Sequence, residues 1–294
     1  SQPRFGRMIP AMVTPFDENR ELDLDKAQAL AARLVDGGSG SLIINGTTGE
    51  SPTVFYPQKM ELFRAVVEAV GNRVPVIANV GDNCTADTVG FARDVAELGV
   101  DGFMCVVPYY NKPPQEGMYR HFRTIADAVE LPIILYNIPG RCVVNMEAET
   151  TLRLGPDCDN VVAVKEASGK MDQVEAIVAG APDGFVVYSG DDSATLDVMK
   201  RGGAGVISTI GNVSPARMKE IVELAAAGDW EAAEAANERL MPLMTGLFET
   251  SNPILVKEAL KLLDFPGGVR LPLVDATPEQ SERLAATMRE VGVL

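Results

Sequence analysis

Short, β-branched apolar runs alternate along the chain with longer stretches in which apolar residues return at helical spacing. The runs predict strands at residues 8–14, 41–45, 75–80, 102–107, 132–136, 161–166, 184–189 and 205–209. The intervening stretches predict helices at 25–36, 57–70, 85–98, 115–128, 147–154, 171–178, 192–201 and 214–227. Segments such as VPVIANV and LPIILYN are apolar nearly throughout, as strands covered on both faces must be. Glycines and Gly-Pro pairs punctuate the pattern at Gly37-Gly38, Gly71, Gly99, Gly155-Pro156, Gly180 and Gly202-Gly203.

Strand and helix alternate through residue 227, which predicts an α/β protein with a closed (β/α)8 TIM barrel. An open doubly wound sheet is the rival, but no GxGxxG follows the first strand to carry a dinucleotide. Beyond Gly228 the pattern is helical only, at 230–247, 253–263 and 277–291, the last opening on Thr-Pro-Glu. Residues 1–227 are thus expected to form the catalytic barrel and 228–294 a C-terminal helical region.

Charge narrows the partners. Against 26 Lys and Arg stand 41 Asp and Glu, a net −15 in 294 residues, which repels a phosphate backbone and argues against nucleic acid. No apolar run approaches the ~18 residues of a membrane span, and no basic-then-apolar segment opens the sequence. The 4 cysteines form no CxxC pair and there is 1 histidine, so neither a structural zinc site nor a mechanism that needs two histidines is expected. Sparse, scattered cysteines fit a reducing cytoplasm.

Barrel enzymes work at the C-terminal ends of their strands and in the loops that follow. There the chain carries Asn45-Gly46-Thr47-Thr48-Gly49-Glu50, Pro108-Tyr109-Tyr110-Asn111, Tyr136-Asn137-Ile138-Pro139-Gly140-Arg141, Lys165-Glu166 and Ser189-Gly190-Asp191-Asp192. Lys165 ends the run Val161–Val164, where a cation is costly to desolvate. Burial there lowers its pKa and exposes an amine suited to Schiff-base chemistry. A lysine snorkelling outward to pair with Glu166 is the alternative. Tyr136 can move protons if hydroxyls from Thr47, Thr48, Tyr109 or Tyr110 relay them, or it can be core. Arg141 is either a carboxylate clamp or half of a surface ion pair. GTTG can be a tight turn, and a phosphate cradle is disfavoured because Glu50 would oppose the anion. Asp191-Asp192 reads as a helix cap. Gly190 and Ile207 read as pocket lining or as barrel packing.

Taken in order, GTTGE, PYYNKP, YNIPGR, VKEAS and SGDD resemble the dihydrodipicolinate synthase/N-acetylneuraminate lyase family of class I aldolases over essentially the whole chain. The resemblance implies condensation of pyruvate with L-aspartate 4-semialdehyde on the way to diaminopimelate and lysine. It makes Lys165 the Schiff-base residue and Tyr136 the proton-transfer group. By the same resemblance Thr48 would lie near the pyruvate carboxylate and Thr47 would relay protons. Tyr110 would complete the relay in a neighbouring subunit, which implies a homotetramer built from tight dimers. Arg141 would hold the semialdehyde carboxylate, Gly190 and Ile207 would line the pocket, and no cofactor is implied.

Within the family, an arginine at position 141 and the GDD loop resemble the synthases rather than the lyases. Cys142-Val143 depart from the Thr-Gly usual in synthases, which leaves room for a sugar-acid aldehyde as acceptor. A catalytically silent keto-acid-binding barrel is the non-enzymatic alternative. Lysine-inhibited members usually carry histidine where this chain has Tyr56 or Lys59, and glutamate at Asp87, whereas Ser51, Asn83 and Tyr109 match. An ammonium at Lys59 would repel a cationic ligand at ~4 Å by roughly 1–4 kcal/mol, so weak or absent lysine inhibition is expected.

Overall fold

The structure, a computed structural model, describes residues 2–294. Its strands are β1 (Met8–Pro10), β2 (Leu42–Ile44), β3 (Val76–Asn79), β4 (Gly102–Val106), β5 (Ile133–Asn137), β6 (Val161–Glu166), β7 (Val186–Ser189) and β8 (Gly205–Ser208). Between and after them run α1 (Leu24–Asp36), α2 (Tyr56–Val70), α3 (Thr85–Ala96), α4 (Gln115–Ala128), α5 (Pro139–Cys142), α6 (Ala148–Asp157), α7 (Met171–Gly180), α8 (Thr195–Lys200) and α9 (Pro215–Ala226). The C-terminal helices are α10 (Trp230–Gly246), α11 (Ile254–Leu262) and α12 (Pro278–Glu290).

Hydrogen bonding orders the strands β1-β8-β7-β6-β5-β4-β3-β2 in one 8-stranded sheet. The strand pairs from β3 through β8 are parallel. The two ends of that order also meet: the Met12 N–H donates to Ile43 O at 2.9 Å, and Ala11 bridges Ile43. This is the (β/α)8 barrel with C-terminal helices that the alternating pattern predicts.

Contacts cluster the described chain into two compact units, residues 2–7 with 77–207, and residues 8–76 with 208–294. In the first, Phe103, Cys105, Ile134, Leu135 and Val164 are fully buried on β4, β5 and β6. The Tyr188 hydroxyl donates to Gly6 O at 2.9 Å and the Val206 N–H to Arg7 O at 2.8 Å, fastening the N-terminal segment. A Cβ at Gly205, where φ is +156°, would lie 2.0 Å from Arg7 O, so only glycine fits that approach.

In the second unit the Asn212 amide explains why β1 stops at Pro10 instead of running to residue 14. Its Nδ2 donates to Ala11 O at 2.8 Å, and its Oδ1 accepts from Val13 N at 3.0 Å. One side chain therefore takes over the bonds that a longer ladder would have used. The Thr-Pro-Glu opening does start α12: Thr277 Oγ1 accepts from Gln280 N at 3.2 Å, and the Gln280 side chain returns to Thr277 N at 2.9 Å. Asp229 caps α10 through Ala232 N at 3.2 Å.

Two of the expected helices are displaced by three residues at one end. α6 continues past Gly155-Pro156 to Asp157, because the Cys158 N–H still closes the last turn on Leu154 O at 3.0 Å. α8 is short, since Asp191 does not cap it. The Asp191 carboxylate instead turns back on Ser193 N at 2.9 Å, one turn ahead of the helix, and the N-cap residue is Ala194.

Candidate active site

Lys165 and Tyr136 are register partners on adjacent parallel strands, so their side chains leave the same face at the same level. The Lys165 Nζ lies 4.1 Å from the centre of the Tyr136 ring. Both are buried, at 6 % and 3 % exposure. Burial pushes the Lys165 ammonium down to about 8, opposed by the Asp192 carboxylate and assisted by the Arg141 guanidinium.

The surface ion pair with Glu166 does not form. Glu166 follows Lys165 by one strand position and therefore points to the opposite face. There Asn137 Nδ2 donates to both its carboxylate oxygens at 3.1 Å, Gln173 Nε2 to one at 2.9 Å, and Ser168 N to the other at 2.8 Å. Asn145 joins this cluster by accepting from Asn137 Nδ2 at 2.8 Å and donating to Gln173 Oε1 at 2.8 Å. The network ties the ends of β5 and β6, immediately beyond Tyr136 and Lys165, to the loop that follows Arg141. Among the described residues Lys165 has no ion pair.

Gly190 follows β7, and its N–H donates to Glu166 O at 2.8 Å. A Cβ there would come within 2.6 Å of the Ala167 Cβ and 3.2 Å of the Lys165 Cε, so glycine leaves the lysine its room. Asp192 is 2 % exposed, and its carboxylate acts on the Lys165 charge. Reading it as a cap missed this; a carboxylate three residues past a strand end was the available signal. Ile207 is a buried residue of β8. Arg141 sits exposed on α5, a short helix that the hydrophobic pattern did not reveal. Val143 ends α5 at φ +70° and is 67 % exposed.

The GTTGE loop belongs to the second unit. Thr48 is buried and its Oγ1 accepts from Asn252 Nδ2 at 2.9 Å; Thr47 is half-buried. Glu50 takes a left-handed φ of +55° and its carboxylate meets the Lys257 ammonium at 2.5 Å, both side chains almost wholly buried. Lys257 also donates to Gly268 O at 2.8 Å and lies 3.9 Å over the Phe16 ring. Tyr110 is 87 % exposed at φ +75°, while the neighbouring Tyr109 hydroxyl donates to Asp82 Oδ2 at 3.3 Å.

Among the described residues no three His, Cys, Asp or Glu side chains gather in a way that would hold a metal ion, and no helix is long and apolar enough to cross a membrane.

Fold and site together define a class: a (β/α)8 enzyme with a buried, partly neutral lysine beside a tyrosine at the strand ends. The model of the Dihydrodipicolinate synthetase family matches residues 4–291, and the chain belongs to that family. A 4-hydroxy-tetrahydrodipicolinate synthase from Moorella thermoacetica is 54 % identical over 292 residues, covering 99 % of this chain and 100 % of the relative. Among solved structures, the dihydrodipicolinate synthase of Cyanidioschyzon merolae with lysine bound is 43 % identical with a TM-score of 0.98, covering 100 % of both chains. A monomeric dihydrodipicolinate synthase variant is 40 % identical with a TM-score of 0.97, covering 99 % of this chain and 98 % of its own.

Proposed function

We propose that the chain is a Schiff-base-forming lyase that condenses pyruvate with L-aspartate 4-semialdehyde, yielding 4-hydroxy-tetrahydrodipicolinate for diaminopimelate and lysine biosynthesis. The observation that carries this reading is Lys165: buried, its pKa pushed down to about 8, in no ion pair among the described residues, and 4.1 Å from the Tyr136 ring. Whole-chain membership of the family supports the choice of substrates.

Nζ of Lys165 attacks the keto carbon of pyruvate to give a carbinolamine. Loss of water, with its proton supplied through the Tyr136 hydroxyl, leaves the imine. A proton taken from the pyruvate methyl group gives the enamine, whose carbon attacks the aldehyde of the semialdehyde. The amine of that substrate then closes on the imine carbon and releases Lys165. Thr48 holds the pyruvate carboxylate, Thr47 and Tyr110 relay the proton, and Gly190 and Ile207 line the pocket. Arg141 takes the semialdehyde carboxylate as a two-toothed fork.

The assembly we infer is a homotetramer of tight dimers. Its support is Tyr110, a bulky side chain held at positive φ and left exposed, with Phe55 67 % and Tyr56 49 % exposed as further apolar surface. Residues 1–227 then supply the barrel and 228–294 the helical region. Four free cysteines agree with a reducing cytoplasm. Lysine inhibition is weak or absent.

A coupled assay varying each substrate tests the acceptor. Arg141→Ala should raise the semialdehyde KM roughly ten- to hundredfold, the cost of one charge-assisted contact, and leave the pyruvate KM nearly unchanged. Equal losses for both substrates would make Arg141 a general electrostatic residue. Turnover of another aldehyde in preference to the semialdehyde would favour the sugar-acid reading, for which the strained Val143 beside Arg141 is the structural argument.

A further inference from the structure

The hydroxyl of Thr48 has a fixed polarity, and a residue far along the chain sets it. Asn252, just ahead of α11, donates its Nδ2–H to Thr48 Oγ1 at 2.9 Å. The two residues are 7 % and 3 % exposed, so water does not compete for the bond. A threonine hydroxyl carries one hydrogen and accepts through its lone pairs. With Asn252 engaging a lone pair, the hydrogen is left for another acceptor, and among the described residues no protein group takes it. A carboxylate offers only acceptors.

We propose that Asn252 is a positioning residue that makes Thr48 an obligate hydrogen-bond donor to the carboxylate of pyruvate. The inference rests on the reading of Thr48 as the pyruvate-carboxylate group. It is separable from anchorage of the loop, which has fastenings of its own. Glu50 is gripped by Lys257 and by Arg270 N at 3.0 Å, and Gly49 O accepts from Thr14 Oγ1 at 2.6 Å. Losing the Asn252 donor therefore changes which way Thr48 donates without releasing the turn.

The test is a set of steady-state measurements on the full-length enzyme. Asn252→Asp keeps the shape and replaces the donor with an acceptor, so the Thr48 hydrogen turns toward the new carboxylate. The pyruvate KM should rise about tenfold or more, the worth of a hydrogen bond to a charged group, while the semialdehyde KM stays within about twofold. Asn252→Leu removes the donor without adding charge and should raise the pyruvate KM by a smaller factor, again with the semialdehyde KM unmoved. In a Thr48→Val background, Asn252→Asp should add almost nothing, because the two changes act through one hydroxyl.

A pyruvate KM unmoved by both Asn252 variants, where Thr48→Val raises it, would overturn the inference and leave the role of Thr48 standing. A full extra loss in the Thr48→Val background would also overturn it, assigning the effect to charge repulsion alone. If Thr48→Val itself leaves the pyruvate KM unchanged, the reading of Thr48 falls and the inference with it. Should Asn252→Asp not fold, Asn252→Leu carries the same comparison.

Discussion

At Lys165 a strand-end cation has been made partly neutral by burial. With its pKa near 8, about a tenth of the side chain is free amine at pH 7, against roughly one part in 2,500 for an unperturbed lysine. The sign of the pH dependence follows directly. If, as proposed, the neutral amine is the nucleophile, the rate of imine formation should rise with pH through about 8 and level off above it. Asp192 holds that pKa up and Arg141 holds it down. Asp192→Asn should therefore move the limb to lower pH, and Arg141→Ala should move it to higher pH. Single-turnover imine formation with pyruvate across pH 5–10 reads both shifts. A limb that stays put in both variants would belong to some other group. Lys165 and Tyr136 were legible in the sequence because each closes an apolar run at a strand end. Asn252 and Lys257 were not, since their partners Thr48 and Glu50 lie 204 and 207 positions away and nothing local marks the pairing.

Elements long enough to repeat a hydrophobic period came through the sequence nearly intact, as β6 and α4 illustrate. Both occupy the residues their periodicity predicts. Elements set by single polar side chains did not. β1 is cut short by the Asn212 amide, and α5 spans too few residues to show any period, yet it carries Arg141. The lysine response belongs to this scale because α2 brings Tyr56 and Lys59 on its first turns. On the proposed reading, the Lys59 ammonium would repel a cationic effector bound beside it. Half-maximal inhibition by lysine should therefore need millimolar concentrations or more, and inhibition at micromolar lysine would reverse the assignment.

Across the whole molecule, the barrel and its helical tail were readable from the alternation of periods, while assembly is argued from what the surface leaves open. Tyr110, 87 % exposed at φ +75°, is the side chain we propose to work on another subunit. Activity per mole should then fall on dilution into the range where sedimentation shows monomers, and Tyr110→Phe should lower turnover while the oligomer persists. Dilution-independent activity from a monomer would remove Tyr110 from the relay. The most direct measurement is borohydride reduction in the presence of pyruvate, followed by peptide mass spectrometry. A reduced pyruvate adduct on the peptide containing Lys165, and on no other lysine, is the expected result. An unmodified Lys165 in folded protein exposed to pyruvate would contradict the Schiff-base chemistry on which the functional reading stands.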